Sequence, residues 1–597
     1  MSQPNNRRRD PGGFSAETML LLLAIGGVFA ALVVVNVAQH LGHTIDGDGV
    51  AVPEDPFAVI MQTFGGKLTW PAAGTWIAAV LGILVLALVV LILVAYTRYR
   101  TRRTRVDRAA TYMGRGKDIE GVSKQNAVKQ AARLGVRDSF GVPIGCTLGN
   151  APLFGTWEDM HIDIWGPRTG KTTSRAVPAI LTAPGGVLVT SNKRDVVDAT
   201  RDVRAVAGPV WVFDPQGIAL ENPTWWWNPL SYVTDEVKAA KLADHFASGS
   251  RDPGAKTDAY FDPAGQDLLA GLLLAAALDQ RPITDVYSWL TRPTEEGAVD
   301  ILREHGFTLT ADQVRGVINA PEKQRGGIYG TAQQMASCLT NRQVAAWVNP
   351  TGATSADDRR PHFDPVVFVR DGGTLYSLSK EGRGTAGPLV TALTVAVVEA
   401  AEELAAGSAG GRLAVPLLGV LDEAANVCRW RELPNLYSHY GSRGIVLMTI
   451  LQSWSQGVDV WGESGMRKLW SASNIKVYGG GVSEDAFLEQ LSKLIGDYDR
   501  QSSSVSSGRG GRSVNQQLHR ERILGVDDLA AMPKGRAVVL SSGNRPTLIR
   551  TQPWMTGPHA EQVKASIAAH DPQAQQTIQQ AETELVAVEH AEATRDV

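Results

Sequence analysis

The residues best suited to chemistry lie in three short stretches that are far apart in the sequence. The first ends in Gly170-Lys171-Thr172-Thr173, after an alternating strand-like run and before residues compatible with a helix. A strand, a glycine loop, Gly-Lys-Thr and a helix form the context of a phosphate-binding loop. We expect Lys171 to reach the β- and γ-phosphates of a nucleotide and the Thr172 hydroxyl to bind Mg²⁺. The predicted nucleotide-binding residues are Gly166, Pro167, Arg168, Thr169, Gly170, Lys171, Thr172 and Thr173.

The loop departs from the usual phosphate-binding pattern at its first position. The pattern places a glycine where this chain has Trp165, and Gly166 follows one residue later. A glycine turn that caps a core helix and leaves Lys171 exposed is the alternative interpretation. Trp165 also leaves two possibilities open, which are a loop with a reshaped entry and a loop with weaker affinity for nucleotide.

The other two stretches are apolar strands that end in polar residues. Residues 413–421 predict a buried strand that ends in Asp422 and Glu423, and residues 444–451 predict another that ends in Gln452. Downstream of a phosphate-binding loop, we expect Asp422 to hold Mg²⁺ with its water shell and Glu423 to orient and polarise the attacking water. Gln452 then stands where a sensor of the γ-phosphate is needed. By itself, an acidic pair after an apolar run is also typical of a helix cap or a surface pair.

A fourth catalytic group is expected from arginine, because a neighbouring subunit's arginine completes the site in ring-shaped ATPases. Arg443, just before the strand that ends in Gln452, is the first candidate. Arg429 and Arg431 are weaker candidates. An ordinary surface arginine near a turn is the alternative interpretation of Arg443.

The elements around these residues follow the strand–helix–strand order of a parallel α/β sheet. Strands predicted at 185–191 and 209–213 are each followed by polar residues. Since ligands bind at the carboxyl ends of such strands, we expect Lys193 and Asp214 to lie near the site. The alternative is that both are ordinary charged residues of surface loops. Further elements are predicted as strands at 365–369 and 373–378 and as a helix from about 387 to 406.

Between about residues 231 and 350 the pattern changes to helices without a good strand. This change predicts an all-α insertion in the α/β domain. Three adjacent tryptophans, Trp225, Trp226 and Trp227, precede the insertion. A stacking platform for nucleic-acid bases is one interpretation of them, but packing in the core is favoured.

Two apolar stretches near the N-terminus, 18–38 and 76–96, are each long enough to cross a bilayer as a helix. A buried soluble helix is less compatible with runs of this length, and so is a signal peptide, which is an alternative for the first stretch only. The loop 39–75 holds Asp46, Asp48, Glu54 and Asp55 but only one strong base, Lys67. Basic residues flank the two apolar stretches on the outside, so both termini are predicted to be cytoplasmic. The basic residues are Arg7, Arg8 and Arg9 before the first stretch and Arg98, Arg100, Arg102, Arg103, Arg105 and Arg108 after the second.

The overall composition excludes a globally basic nucleic-acid binder. The net charge is −3, from 58 basic and 61 acidic residues, so any contact with nucleic acid needs a local patch. Cys146, Cys338 and Cys428 are widely spaced and predict buried, reduced thiols. Residues 501–513 are predicted to be flexible, and the acidic segment after residue 558 is predicted to be a short helix or a disordered tail.

Several of these stretches resemble the type IV coupling proteins, the TraG/TraD family of conjugative DNA-transfer ATPases. The resembling residues are 417–426, 433–434, 440–445 and 450–453, with further landmarks at 213–217, 227–230, 543–546 and 553–554. The resemblance implies a RecA-like P-loop ATPase domain with an inserted all-α domain, preceded by two transmembrane helices, in the bacterial cytoplasmic membrane. It further implies ATP and Mg²⁺ as cofactors, assembly into a homo-hexamer, and three partners, which are single-stranded DNA bound without sequence preference, a relaxase and type IV secretion channel components.

The predicted organisation places the RecA-like domain on either side of the all-α insertion. The predicted boundaries are a cytoplasmic N-terminus 1–17, a transmembrane helix 18–38, an extracytoplasmic loop 39–75, a transmembrane helix 76–96, a first RecA-like part 97–230, the all-α domain 231–350, a second RecA-like part 351–558 and an acidic tail 559–597. Two alternative functions stay open. One is an FtsK-like DNA translocase, although the C-terminal tail is short and acidic for a DNA-reading module. The other is a non-hydrolysing membrane receptor for secretion substrates.

Overall fold

The structure is a computed structural model that describes residues 16–101, 104–250, 258–352, 357–382, 384–508 and 511–593. The chain divides into two units. The smaller unit contains the apolar N-terminal helices and the segment Asp497–Arg522, and the larger unit spans Ala109–Gly496 and Ile523–Val588. Arg7, Arg8, Arg9, Arg102 and Arg103, on which part of the predicted membrane orientation depends, lie outside the described residues.

The larger unit is built on one mixed sheet. The strands of the chain are β1 Val142–Thr147, β2 Pro152–Gly155, β3 His161–Ile164, β4 Val187–Ser191, β5 Val210–Phe213, β6 Thr374–Leu378, β7 Leu417–Leu421, β8 Ile445–Leu451, β9 Ile475–Tyr478, β10 Asp497–Gly508, β11 Gly511–Arg522, β12 Arg536–Ser541 and β13 Thr547–Arg550. Within the described residues, eleven of them form a sheet in the order β2-β1-β13-β12-β9-β3-β8-β7-β4-β6-β5. From β9 to β5 the neighbours pair in parallel, and β12, β13, β1 and β2 continue the sheet with antiparallel pairs.

The helices of the chain belong to both units. They are α1 Ala16–Asp46, α2 Pro56–Phe64, α3 Ala72–Thr101, α4 Arg105–Ala109, α5 Lys124–Arg133, α6 Val177–Thr182, α7 Asp195–Ala205, α8 Glu236–Ser250, α9 Phe261–Leu278, α10 Thr284–Leu290, α11 Gly297–Glu304, α12 Thr308–Ile318, α13 Glu322–Met335, α14 Arg342–Val348, α15 Pro365–Asp371, α16 Gly387–Ala406, α17 Ala424–Val427, α18 Leu433–Tyr440, α19 Trp454–Ala472, α20 Asp485–Ile495, α21 Val526–Ala530, α22 Ala560–His570 and α23 Ala574–Ala593.

The parallel strands form the centre of the core. Every residue of β7 and of β8 is buried, as expected for parallel strands that are covered on both faces. One hydrophobic cluster joins these strands to residues of α6, α7 and α22. A smaller cluster lies among β1, β9, β12 and β13 and includes Trp165. The central strands are therefore fixed by burial, and their ends are the places where polar side chains are available.

The three adjacent tryptophans belong to the core. Trp225, Trp226 and Trp227 are 5%, 3% and 0% exposed. Trp225 makes ring contacts with Trp211 and Trp347, at centroid distances of 5.3 and 5.5 Å. Packing in the core, rather than a platform for bases, accounts for these side chains.

The residues predicted as a strand at 365–369 are helical, and that prediction is wrong. Asp364 caps α15, because its Oδ1 accepts from the Val366 and Val367 amides at 2.8 and 3.1 Å. Pro365 occupies the first turn, where its missing N–H costs nothing and its φ suits a helix. The Asp-Pro start therefore outweighs the β-branched residues that favour a strand.

The segment 501–513, predicted to be flexible, lies within two paired strands where the structure describes it. Strands β10 and β11 form an antiparallel ribbon whose pairs run from Asp497 opposite Arg522 to Gly508 opposite Gly511. A composition rich in serine and glycine does not exclude a ribbon that is held by backbone hydrogen bonds. After residue 558, the described chain forms α22 and α23, which is the helical one of the two predicted outcomes.

Helices α1 and α3 approach closely near the ends that the loop between them joins. A Cβ at Gly42 would lie 2.4 Å from Pro71 Cγ and 2.9 Å from the Gly74 amide nitrogen, so glycine is required there. Among the described residues, three helical segments are long and apolar enough to cross a membrane, which are Ile25–Asp46, Ala72–Leu91 and Phe261–Leu278. The third is α9, which packs against α8 and α13 within the larger unit. Its apolar composition is therefore explained by helix packing.

A buried ion pair connects β3 to the turn that follows the glycine loop. Arg175 and Asp163 have no exposed side-chain surface, and Arg175 Nη2 lies 3.1 Å from Asp163 Oδ2. Arg175 also donates to the Pro143 carbonyl and contacts His161 Nδ1 at 3.3 Å. Burial, together with the Arg175 charge, holds the pKa of His161 well below its usual range, so the ring is neutral and accepts from the guanidinium.

We expect Arg175→Met to destabilise the protein by about 3–5 kcal/mol, because it leaves the Asp163 carboxylate buried without its partner. The measurement is urea unfolding of the full chain in detergent. Arg467→Met is the matched control, since Arg467 forms an exposed pair with Glu463 on α19; its expected effect is at most about 0.5 kcal/mol. Adding Asp163→Asn to Arg175→Met should restore part of the loss. Equal effects of the two arginine variants would contradict this interpretation.

Candidate nucleotide site

The three predicted stretches come together at one edge of the sheet. Strand β3 is paired with β8, and β8 is paired with β7, all in parallel. The glycine loop after β3, Gln452 after β8 and Asp422-Glu423 after β7 therefore leave the sheet side by side. This is the edge where ligands bind in open α/β sheets.

Trp165 points into the core and is fully buried. Its ring packs over Gly479, where a Cβ would lie 2.0 Å from Trp165 Cε3. The backbone continues the sheet at this point, since the Trp165 amide donates to the Leu451 carbonyl at 3.0 Å and the Gly166 amide donates to the Gly480 carbonyl at 2.9 Å. The tryptophan in place of the expected glycine is thus a core residue at the entry of the loop, and its side chain does not occupy the loop's interior.

The exit of the loop is a wide helical turn, Thr172–Ala176, that leads into α6. The loop is closed by local hydrogen bonds, one of which runs from Thr173 Oγ1 to the Gly170 carbonyl at 3.1 Å. Thr169 Oγ1 donates to the Gly166 carbonyl at 2.5 Å, and the Ser174 amide donates to the Gly170 carbonyl at 2.9 Å. Lys171, Thr172 and Thr173 are partly exposed here, whereas Pro167 and Arg168 are exposed. The partly exposed residues are the ones that the sequence assigns to phosphate and Mg²⁺.

Lys171 lies between the two carboxylates that follow β7. Its Nζ is 3.2 Å from Asp422 Oδ1 and forms a close ion pair with Glu423 Oε1. Gln452 Nε2 donates to both Glu423 oxygens, at 2.7 and 2.8 Å. Four residues from three separate stretches therefore form one connected cluster.

The backbone of Glu423 is in the left-handed region, with φ of 54°. This conformation is costly for a residue with a side chain, and such strain is concentrated at functional sites. It turns the chain sharply between β7 and α17, and the Glu423 side chain is directed to Lys171 and Gln452 rather than along the strand.

Sequence reasoning missed a second set of polar residues beside Glu423. Asn426 Nδ2 donates to Glu423 Oε2 at 3.3 Å and to Glu381 Oε1 at 2.8 Å. Asn192, after β4, donates to the same Glu381 oxygen at 2.6 Å. Glu381 follows β6, and Asn192 follows a strand paired with both β6 and β7. Polar residues directly after predicted parallel strands were the available signal.

Other predicted candidates lie outside this cluster. Arg443 precedes β8, at the opposite edge of the sheet from Gln452, and forms an ion pair with Glu402. Asp214 accepts from the Ile218 and Ala219 amides of its own loop, at 2.7 and 2.8 Å, which is a structural role. Lys193 is exposed. Arg431 pairs with Asp244 at 3.0 Å, and Arg429 Nε donates to the Ala425 carbonyl at 3.1 Å.

Known proteins match both the sequence and the fold. A family model described as the TraM recognition site of TraD and TraG matches residues 416–534. The type IV secretion system-coupling protein VirD4 of Bartonella quintana (strain Toulouse) is 22% identical over 402 residues, which cover 63% of this chain and 60% of VirD4. The unbound bacterial conjugative coupling protein TrwBdeltaN70 has a TM-score of 0.50 at 17% identity, over 68% of this chain and 88% of its own. TrwB in complex with the non-hydrolysable ATP analogue ADPNP has a TM-score of 0.48 at 17% identity, over 68% of this chain and 89% of the TrwB chain.

The resemblance to the type IV coupling proteins is confirmed. The likeness to the unbound coupling protein also confirms the predicted fold class, a RecA-like P-loop ATPase fold. The stretch that matches the coupling-protein family model contains Asp422, Glu423 and Gln452, and it begins after the glycine loop. The chain spans 60% of the length of VirD4.

The oxygen atoms of the site suit Mg²⁺ that is bound together with a nucleotide. Among the described residues, no group of three or more His, Cys, Asp and Glu side chains is arranged to hold a metal ion. Mg²⁺ is usually held by one or two carboxylates together with substrate phosphates and water. Asp422 and the Thr172 hydroxyl offer hard oxygen ligands of this kind beside Lys171. The residues present therefore fit Mg²⁺ that arrives with a nucleotide.

The charges of the cluster strongly affect one another. Burial raises the pKa of Asp422 to about 6, and the Lys171 ammonium only partly offsets that rise. Burial alone would lower the pKa of Lys171, but Asp422 and Glu423 outweigh it and raise the pKa. The cluster holds two acidic side chains and one ammonium, so at neutral pH it favours an additional cation.

We expect Asp422→Asn to stabilise the protein above pH 6 and to have no effect near pH 4. The folded-state pKa is raised from 3.8 to about 6, so the folded protein binds the extra proton between these values and stability falls as pH rises through this window. Removing the charge should contribute up to about 3 kcal/mol at pH 8. The measurement is urea unfolding of the full chain at pH 4, 6 and 8. Asp459→Asn, at an exposed position of α19, is the control, and a gain for Asp422→Asn that is equal at all three pH values would contradict the expectation.

Proposed function

We propose that this chain is a membrane-anchored ATPase that couples ATP hydrolysis to the recruitment of DNA, with its relaxase, and to its translocation into a type IV secretion channel during conjugation. The observation that carries the proposal is the cluster of Lys171, Asp422, Glu423 and Gln452 at the ends of three adjacent strands. The resemblance to conjugative coupling proteins supports the DNA and the secretion channel as partners.

The chain's own residues supply most of the hydrolytic chemistry. Lys171 turns from the carboxylates to the β- and γ-phosphates when a nucleotide enters, because a phosphate carries more charge than either acid. Glu423, released from Lys171, orients a water molecule and accepts its proton. Gln452 Nε2 is then free to contact the γ-phosphate. Mg²⁺, held by the Thr172 hydroxyl and by Asp422 through water, would neutralise charge on the phosphates.

The assembly proposed for the active protein is a homo-hexameric ring. Arg443 would then serve a neighbouring subunit's site, because in its own chain it lies at the opposite edge of the sheet from Gln452. To do so, Arg443 would have to leave its ion pair with Glu402 and contact the nucleotide bound to the neighbouring subunit. DNA would be contacted through its phosphates by basic residues facing the channel, without reading of sequence.

The competing function is a membrane receptor for secretion substrates that binds a nucleotide without hydrolysing it. The close ion pair of Lys171 with Glu423 favours this alternative, because it occupies both the phosphate-binding ammonium and the carboxylate that would act on water. The two functions differ in whether Glu423 is needed for turnover, and the next experiment separates them.

We expect the full-length protein in nanodiscs to hydrolyse ATP faster when single-stranded DNA is added. Glu423→Gln should lower kcat by about 10²–10⁴, as for loss of a general base, and retain nucleotide binding. Lys171→Ala should lose both binding and turnover. Arg467→Ala, at an exposed position of α19, is the control and should behave as the unchanged protein. Turnover that ignores DNA, or nucleotide binding with no turnover in the unchanged protein, would contradict the motor and support the receptor.

We expect Arg443→Ala alone to lower kcat by about 10³, as for loss of an arginine finger. Mixing it in equal amounts with Glu423→Gln before assembly should restore about one quarter of the activity, since a quarter of randomly formed interfaces combine an intact Glu423 with an intact neighbouring Arg443. The measurement is ATPase activity against mixing ratio. An inactive mixture, or full activity of Arg443→Ala, would rule out the arginine's role in a neighbour's site.

A further inference from the structure

The loop between α1 and α3 is a folded cap and not an open connection. Two polar residues of α1, Gln39 and His43, are 0% and 4% exposed. His43 Nδ1 is 2.6 Å from Asp48 Oδ2, and its Nε2 is 3.0 Å from the Thr69 carbonyl. The loop thus holds both ring nitrogens of His43 at the end of α1.

Helix α2, within this cap, is held against α1 by contacts at two adjacent residues of α1, Gln39 and His40. Before α2, the Pro53 carbonyl is 3.1 Å from His40 Nε2. In its last turn, Thr63 Oγ1 accepts from Gln39 Nε2 at 3.0 Å. Residues 39 and 40 differ by about 1.5 Å in height along α1. The segment 53–63, which contains most of α2, is therefore tied at both ends to adjacent residues of α1.

Gln39 and His40, to which the α2 segment is tied, lie directly after the apolar part of α1. The apolar run of the sequence extends over 18–38, directly before Gln39. On the other helix, a Cβ at Gly74 would lie 3.0 Å from the Ala38 carbonyl, so α3 begins at the same height. Trp70 and Trp76, close to this level, are 41% and 78% exposed. Exposed tryptophans at the ends of apolar helices are typical of the membrane–water interface.

The two faces of α2 differ sharply. Val59 is 0% exposed, whereas Phe57, Met61 and Phe64 are 66%, 75% and 84% exposed. The spacings of four and three residues put the exposed side chains on one stripe, which is opposite Val59 on the helix. The sequence of α2, PFAVIMQTF, contains no charged residue. A stripe of three large apolar side chains without charges fits an apolar environment and not water.

We propose that α2 is an in-plane helix whose stripe of Phe57, Met61 and Phe64 inserts into the bilayer leaflet on the side of the loop. The inference rests on the proposed membrane anchoring by α1 and α3. Lipid is the occupant because α2 is tied to α1 where the apolar run of α1 ends, and because α3, which packs against α1, also exposes apolar side chains, among them Val80 and Ile83 at 56% and 66%. An in-plane helix of this kind binds through buried apolar area at the boundary of headgroups and acyl chains.

Such a helix fixes the depth of the two spanning helices. Because α2 is tied to α1 at Gln39 and His40, insertion of its stripe sets how far α1 and α3 enter the bilayer. Sliding of the pair along the membrane normal would expose the stripe to water or draw Gln39 and His43 into the acyl region.

The test places single cysteines at Phe57, Met61 and Phe64 of the full chain and labels each with the fluorophore NBD. Glu54→Cys and Lys67→Cys, at exposed positions of the same cap, are matched controls for an aqueous site. Ile83→Cys, on the exposed apolar surface of α3, reports the anchoring itself. The native cysteines Cys146, Cys338 and Cys428 are buried, and labelling of the unsubstituted chain gives the background.

The labelled proteins are reconstituted into vesicles of phosphatidylcholine and phosphatidylglycerol, with a nitroxide at acyl carbon 5 or with aqueous iodide as quencher. We expect the three stripe positions to be blue-shifted and quenched by the nitroxide lipid, and the two controls to be quenched by iodide. Quenching of the stripe positions by iodide to the same extent as the controls would overturn the proposal. So would protection from both quenchers, since that would mean that protein covers the stripe. If Ile83→Cys also fails to be quenched by lipid, the anchoring in the proposed function is what has failed.

Discussion

The contact between Lys171 and the two carboxylates after β7 is the interaction on which the rest of the site depends. It joins a loop that follows one strand to a turn that follows another, across the intervening β8. Charges this deeply placed need partners, because an unpaired one is costly to remove from water. Without a nucleotide, the cluster therefore holds its own groups in place, and a phosphate must compete with Glu423 for the ammonium. The arrangement favours a site that closes on itself when empty.

The same cluster extends away from the glycine loop. Asn426 connects Glu423 to Glu381, and Asn192 supports Glu381 from the other side. The loop that holds Glu381 leads into α16, whose Glu399 accepts from Lys241 and Tyr232 of the inserted helical region. A contiguous set of hydrogen bonds and one helix thus connects the carboxylate beside Lys171 to the helices inserted in the sheet.

The sequence was sufficient to predict those site residues that belong to short, recognisable motifs. Gly170-Lys171-Thr172, Asp422-Glu423 and Gln452 are each recognisable within a few residues, and the order of strands and helices around them indicates a parallel sheet. The sequence could not reveal Asn426 and Glu381 as neighbours, because their contact depends on which strands are adjacent. The helix α15 was mistaken for a strand since Val366 and Val367 favour strands, whereas the capping side chain of Asp364 decides the outcome. The ribbon β10–β11 was missed because backbone pairing leaves little trace in a polar composition.

The glycine loop is held at its two ends by forces of different kinds. At the entry, Trp165 is embedded among apolar residues of β1, β9, β12 and β13, and at the exit Arg175 is paired with Asp163 beneath the turn. An apolar anchor carries no charge to titrate but weakens on cooling, whereas a buried charge pair does not depend on the hydrophobic effect. The two ends of the loop therefore respond differently to a change of temperature.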